Sequence, residues 1–195
     1  MEAARLAASN KKLGMWLFII SDSLTFAALL IGYCYLRLSS DRWPTPFGRS
    51  SIAYASVMTV CLLASSFTMV RAVSAARGGD RRHMLRWIGA TIAGGLAFLL
   101  LHLNEWRRLA GEGLTARAIP ESWGDASLSF GAAFYGITGL HMLHVLSGVV
   151  LLGVIALRRS GTVEDVEISG LYWQFVDVVW VFVFVLIYLL SVSGG

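Results

Sequence analysis

The sequence predicts an all-α integral membrane bundle of five transmembrane helices, and three observations carry that prediction. The chain of 195 residues is 56% hydrophobic and 14% charged, more apolar than a soluble domain of this length can cover. Five apolar stretches, at about 13–36, 51–73, 85–106, 130–157 and 170–193, each reach the ~20 residues that cross a ~30 Å hydrocarbon core. Stretches this long, joined by short connections, cannot close a lipid-exposed barrel, which leaves helices that satisfy their own backbone. No repeat, low-complexity tract or composition break divides the chain, so residues 1–195 read as one transmembrane domain.

The first ten residues read as an amphipathic or frayed lead. The apolar run that follows, Leu13 to Leu36, is too long for the h-region of a signal peptide and no small-residue cleavage site follows it, so it is expected to stay as a helix. In "SDRWPTPFGRSS" (40–51), Pro44 and Pro46 are expected to stop that helix, and Ser50 and Ser51 to cap the next. "RGGDRR" (77–82) is a tight loop whose glycines end the second helix and whose Asp80 caps the third. The longest connection, 110–128, carries Trp123 at interfacial depth, and "RRSGTVEDVEISG" (158–170) makes the last turn. Glycines along the third and fourth helices, Gly94, Gly95, Gly136, Gly139 and Gly148 among them, mark close helix contacts. Trp16, Trp87, Trp106 and Trp173 are expected in interfacial belts, and the aromatic run 171–188 in packing and lipid contact. Cys34 and Cys61 read as small apolar fillers, not a disulfide.

Loop charge orients the bundle. One set of loops holds ten Lys and Arg, from Arg5, Lys11 and Lys12 to Arg158 and Arg159, against six in the other set. The positive-inside rule then places the N-terminus inside and the C-terminus outside a bacterial inner membrane. The formal charge of +4 is spread over these loops, which suits topology and excludes a nucleic-acid surface. Arg37, Arg107 and Arg108 at one face, and Arg86 and Arg159 at the other, are candidates for holding lipid phosphates.

Ionisable groups inside a span are costly and are expected to have partners. Asp22, His102, His141, His144 and Asp177 lie inside, with Glu105 at the rim. At about 1.5 Å per residue, Asp22 lies about 14 Å from the inner face and His141 about 16 Å from the outer one, a matched depth. The same arithmetic puts Asp177 and His144 about 9–10 Å from the inner face. The i,i+3 spacing of His141 and His144 puts both on one side of the fourth helix, so a clasp of Asp22 with His141 and of Asp177 with His144 is expected. Ser21, Ser23 and Thr25 are expected to bond around Asp22. A proton-handling or headgroup role for these residues stays open beside the clasp. A metal site is disfavoured: di-metal bundles project Glu-x-x-His, whereas His102-x-x-Glu105 reverses that order and His141-x-x-His144 lacks the acid.

These residues also carry a resemblance. "LGMWLFIISDSLTFAALLIGYCYLR" (13–37), "HLNEW" (102–106), "FYGITGLHMLHVLSG" (134–148) and "YWQFVDVVWVFVFVLIY" (172–188) resemble subunit III of the haem-copper terminal oxidases, over four of the five helices and in the right order. The resemblance implies a subunit without haem or copper of its own, in the five-helix form of the family. It implies packing beside catalytic subunit I and other respiratory subunits that hold the haem and copper, with bound phospholipid and support of proton uptake and durability. Asp22 falls where the family has a buried Glu, and His141 matches the histidine that this acid meets. Glu105 and His144 match motif positions, whereas Gln174 replaces a His and His102 stands where Gln is common. The competing readings are a similar chain attached to nitric oxide reductase, a stand-alone di-metal membrane enzyme, and a small transporter, for which broken helices and repeats are wanting.

Overall fold

A computed structural model describes residues 2–123, 128–158 and 162–190. Its elements are α1 (Glu2–Leu38), α2 (Arg49–Arg77), α3 (Arg81–Gly111), a 3-10 turn (Glu121–Trp123), α4 (Ser129–Leu157) and α5 (Val163–Val183), which continues as a π-helical turn (Phe184–Leu189). Each of the five long helices contains a stretch long and apolar enough to cross a membrane. The expected five-helix class is therefore found, with ends that run past the apolar stretches. Polar residues continue a helix beyond the hydrocarbon core because the backbone remains better bonded there than free.

α1 starts at Glu2, so the polar lead is part of the first helix, and α5 starts at Val163 and not near 170. Thr162 and Asp165 form a capping box: Thr162 Oγ1 accepts from the Asp165 amide at 3.2 Å, and Asp165 Oδ2 from the Thr162 amide at 3.1 Å. Asp80 caps α3 as expected, accepting from the His83 amide at 3.0 Å. That bond, first among its causes, holds the Asp80 carboxyl below the usual carboxylate range. Gly79, at φ 72°, supplies the left-handed residue that the turn into α3 requires. One expectation fails: α2 starts after Gly48 with no side-chain cap, and Ser50 and Ser51 lie inside its first turn. α1 ends at Leu38, near its expected end and ahead of Pro44, where Ser39 and Ser40 hydroxyls donate to the Leu36 carbonyl.

The chain runs up and down, and α5 is its pivot. α1 packs on α4 and α5, α2 on α3 and α5, and α3 on α4. At one rim Lys11 meets Asp165 at 3.2 Å, while Glu167 takes Lys12 at 2.6 Å and Arg77 at 2.8 Å. These exposed pairs are worth about 0–1 kcal/mol each. Inside, hydrogen bonds join α5 to α2: Trp173 Nε1 donates to Ser65 Oγ (3.1 Å), Trp180 Nε1 to Thr59 Oγ1 (3.0 Å) and Gln174 Nε2 to the Ser66 carbonyl (3.2 Å). Trp173 is thus a core residue, 1% exposed, and not part of an interfacial belt. Cys34 and Cys61 are free thiols.

Two glycines make room for Trp173. A Cβ on Gly95 of α3 would meet the indole and Val149, and one on Gly148 of α4 would press on the other side of the ring. Gly89, by contrast, faces open space. Gly95→Ala is therefore expected to cost about 1–3 kcal/mol through overpacking. Gly89→Ala should gain about 0.5–1 kcal/mol of helix propensity. Thermal unfolding of the two variants in detergent checks the opposite signs.

Candidate functional site

The buried ionisable groups do not gather in one place. Helical phase distributes all but Asp177 over three surroundings, and phase also decides their partners.

The first is a single carboxylate–imidazole contact between α1 and α4. Asp22 Oδ2 lies 3.1 Å from His144 Nε2, with side-chain exposures of 14% and 15%, so the pair is reachable from the flank of the bundle. The approach is close without being a straight N–H···O bond, and Asp22 Oδ2 has no aligned donor. His144 Nδ1 lies 2.8 Å from the Leu140 carbonyl, which only accepts, so Nδ1 carries a hydrogen. Phe26 packs edge-on to the His144 ring at 5.2 Å, and Tyr172 donates to the His144 carbonyl at 3.0 Å. Ser23 and Thr25 do not bond to Asp22; they donate back to the Ile19 and Ser21 carbonyls of their own helix.

The second is an aromatic box around Trp180. His141 stacks on the Trp180 indole at 5.1 Å and meets Phe98 edge-on at 5.6 Å. His102 meets Trp180 at 5.4 Å, Trp106 at 5.8 Å and Phe98 at 5.7 Å. Both imidazoles are fully buried, and none of their ring nitrogens has a hydrogen-bond partner. The expected pairing of Asp22 with His141 is therefore corrected to Asp22 with His144. His141 shares a buried face with Ile137, Val145 and Gly148 that looks into the core, whereas His144 is turned toward α1.

Asp177 is the second correction. It shares a face of α5 with Trp173 and Trp180, whose indoles reach hydroxyls of α2, so it looks toward α2 and not toward His144. Ser66 lies beside it without a formed hydrogen bond, and Asp177 Oδ1 is buried and unpaired. The depth arithmetic failed for two reasons. α4 has 29 residues, about 43 Å, so a fixed ~30 Å core counted from one end misplaces His144. α5 begins at Val163, so Asp177 lies about 21 Å along it.

The third surrounding is the rim formed by α2, α3 and the π-helical turn. Tyr188 donates to Glu105 Oε2 at 2.6 Å, while Glu105 Oε1 is buried without a partner. Sequence reasoning marked Glu105 but not Tyr188, because a π-turn shifts the phase that a regular helix would give it. Of the arginine candidates, Arg37 Nη2 donates to the Leu190 carbonyl at 2.6 Å, and Nη1 is buried and unpaired. Arg108 donates to Glu112 at 2.9 Å and to Ser51 Oγ at 3.1 Å. Arg86 and Arg107 are exposed, and Arg159 lies outside the described residues. An apolar cleft of about 390 Å³ between α1 and α5, walled by Phe26, Leu30, Cys34, Val179 and Phe182, had no signal in the sequence.

The revised pairing makes a prediction. Asp22→Ala should cost about 1–3 kcal/mol by leaving the part-buried His144 imidazole without its carboxylate. In a double-mutant cycle, Asp22→Ala and His144→Ala should couple by about 0.5–3 kcal/mol. Asp22→Ala with His141→Ala should be additive within about 0.5 kcal/mol. Coupling to His141 instead would restore the pairing read from depth.

A family model described as cytochrome c oxidase subunit III matches residues 4–192. The chain is 33% identical to cytochrome c oxidase subunit 3 of Alkalihalophilus pseudofirmus, over 99% of this chain and 93% of that one. It is 32% identical to cytochrome c oxidase subunit 3 of Bacillus subtilis, over 99% and 92%. Cytochrome bo(3) ubiquinol oxidase subunit 3 of Pseudomonas aeruginosa is 29% identical, over 93% and 86%. With five membrane-length apolar helices and a match running nearly from end to end, this multi-pass membrane protein belongs to the cytochrome c oxidase subunit III family.

Proposed function

We propose that the chain is the non-catalytic subunit III of a proton-pumping haem-copper terminal oxidase. It packs on catalytic subunit I, which with other respiratory subunits holds the haem and copper, and it supports lipid binding, proton uptake and stability. The observation that carries this reading is the end-to-end match to oxidase subunits named for both cytochrome c and quinol donors. The interior agrees with it in kind. His144 turns to Asp22, His141 and His102 turn to Trp180, and Glu105 turns to Tyr188, so among the described residues these ionisable groups join one helix to another.

The lipid role has a specific support at Arg37. It follows Cys34 by three residues on α1, at the end of the apolar cleft between α1 and α5, and its Nη1 is buried without an acceptor. A phosphate there would supply the acceptor while an acyl chain follows the cleft toward Ser23. The proton role rests on Asp22 and His144, the one carboxylate–imidazole pair facing the flank of the spans among the described residues. In the proposed orientation the N-terminus and the rim with Lys11, Lys12, Arg77 and Arg81 lie inside, and the C-terminus outside.

Tagged chain is expected to come out of mild detergent with a haem- and copper-containing complex, visible in the reduced-minus-oxidised spectrum and by metal analysis. When this chain is separated from the rest, the haem signal should stay with the remaining subunits and the isolated chain should show none. A pure chain that carries its own iron would overturn the proposal.

A further inference from the structure

At the outer end of α2 and α3 lies a polar cleft of about 220 Å³, lined by Ser50, Ser51, Tyr54, Asn104, Glu105 and Arg108. Its volume exceeds several waters at ~30 Å³ each. Two features of this cleft are unsatisfied at once. The N-terminus of α2, a helix of 29 residues, has no side-chain cap and no acidic residue in its first turn. Its first free acceptor-seeking amides, at Arg49, Ser50 and Ser51, precede the first helical bond, from Ile52 to the Gly48 carbonyl. Glu105, 1% exposed, lines the same cleft with Oε1 buried and unpaired, while its Oε2 is held by Tyr188. Arg108, one turn beyond Glu105, does not pair with it and instead reaches Ser51 Oγ and the exposed Glu112.

An anion-seeking end and an unpaired carboxyl oxygen are thus held in one small cleft without neutralising each other. An inorganic anion would satisfy the first and crowd the second; a simple cation would do the reverse. A single group carrying both signs satisfies both. We propose that this cleft binds a phosphoethanolamine group, as carried by a phosphatidylethanolamine lipid. The phosphate lies at the α2 amides, the Ser51 hydroxyl and the Arg108 guanidinium, and the primary ammonium donates to Glu105 Oε1. The Glu112 carboxylate, already on Arg108, gives way to the phosphate or remains on its outer side. The π-turn adds a reason for the geometry, since it brings Tyr188 to Oε2 and leaves Oε1 as the oxygen without a partner. This site deepens the lipid role proposed above and lies on the other side of the bundle from Arg37, with a headgroup selectivity that an arginine alone does not give.

The test uses the purified, delipidated complex, titrated with phosphatidylethanolamine, its N-trimethyl analogue phosphatidylcholine, and phosphatidylglycerol, all with the same acyl chains. Bound lipid is counted by native mass spectrometry. In the wild-type complex, phosphatidylethanolamine is expected to fill one site about tenfold more tightly than either of the others. Glu105→Gln, which keeps an acceptor for Tyr188, should abolish that preference, and Arg108→Gln should weaken all phosphate lipids at this site. Displacement by soluble glycerophosphoethanolamine would show that the headgroup alone is read; resistance to it would show that the lipid is the source. Equal binding of the amine and trimethylamine lipids in wild type, or a preference that survives Glu105→Gln, overturns the proposal. Haem content of each preparation is recorded alongside, so a chain outside any oxidase is told apart from a cleft that does not select.

Discussion

A polar group inside a bilayer must find its partner in the protein, and α5 is where this chain meets that demand. Its indoles at Trp173 and Trp180 bond hydroxyls of α2, its Tyr172 bonds the main chain of α4, and Tyr188 at its π-helical end bonds Glu105 of α3. Each such bond contributes little by itself, about 0.6 kcal/mol on average in membranes. Together they fix both the depth and the rotation of α5 against three helices. The wedge of Trp173 between Gly95 and Gly148 then follows, because only helices held in that register leave the indole its space. α1 is the least engaged helix, tied at its ends by Lys11, Lys12 and Arg37 and in the middle by Asp22.

The groups left without a bond divide by surroundings. His102 and His141 lie among aromatic faces and edges, where stacking replaces hydrogen bonding and nothing offsets an added charge. Glu105 lines a polar cleft with Oε1 unpaired, and Arg37, with Nη1 unpaired, follows Cys34 of the apolar cleft by three residues on α1. Asp177 belongs to neither class: it is buried against α2 with only Ser66 beside it, and nothing in the structure explains it.

Much of the fold was legible because the hydrocarbon core imposes a length that composition reveals directly. Helix number, order and the Asp80 cap follow from that and from turn chemistry. The candidate residues were legible too, since Asp22, His144 and Glu105 stand out in apolar runs. Their partners were not. Depth alone ranks residues along an axis, whereas pairing depends on rotation about it, and rotation is set by contacts such as Trp180 on Thr59 that no single helix encodes. The polar run 158–170 read as a turn because its capping box lies outside the apolar stretch, and that shifted every depth on α5. The π-turn and the clefts are products of packing between helices, without a local sequence signal.

Subunit III of a terminal oxidase, as proposed here, would support a catalytic partner and do no redox chemistry itself. Oxygen uptake by the purified oxidase, measured before and after selective removal of this chain, tests it most directly. The account predicts an unchanged haem spectrum and a retained initial rate, followed by faster loss of activity during turnover. Immediate loss of the haem signal together with the chain would contradict it.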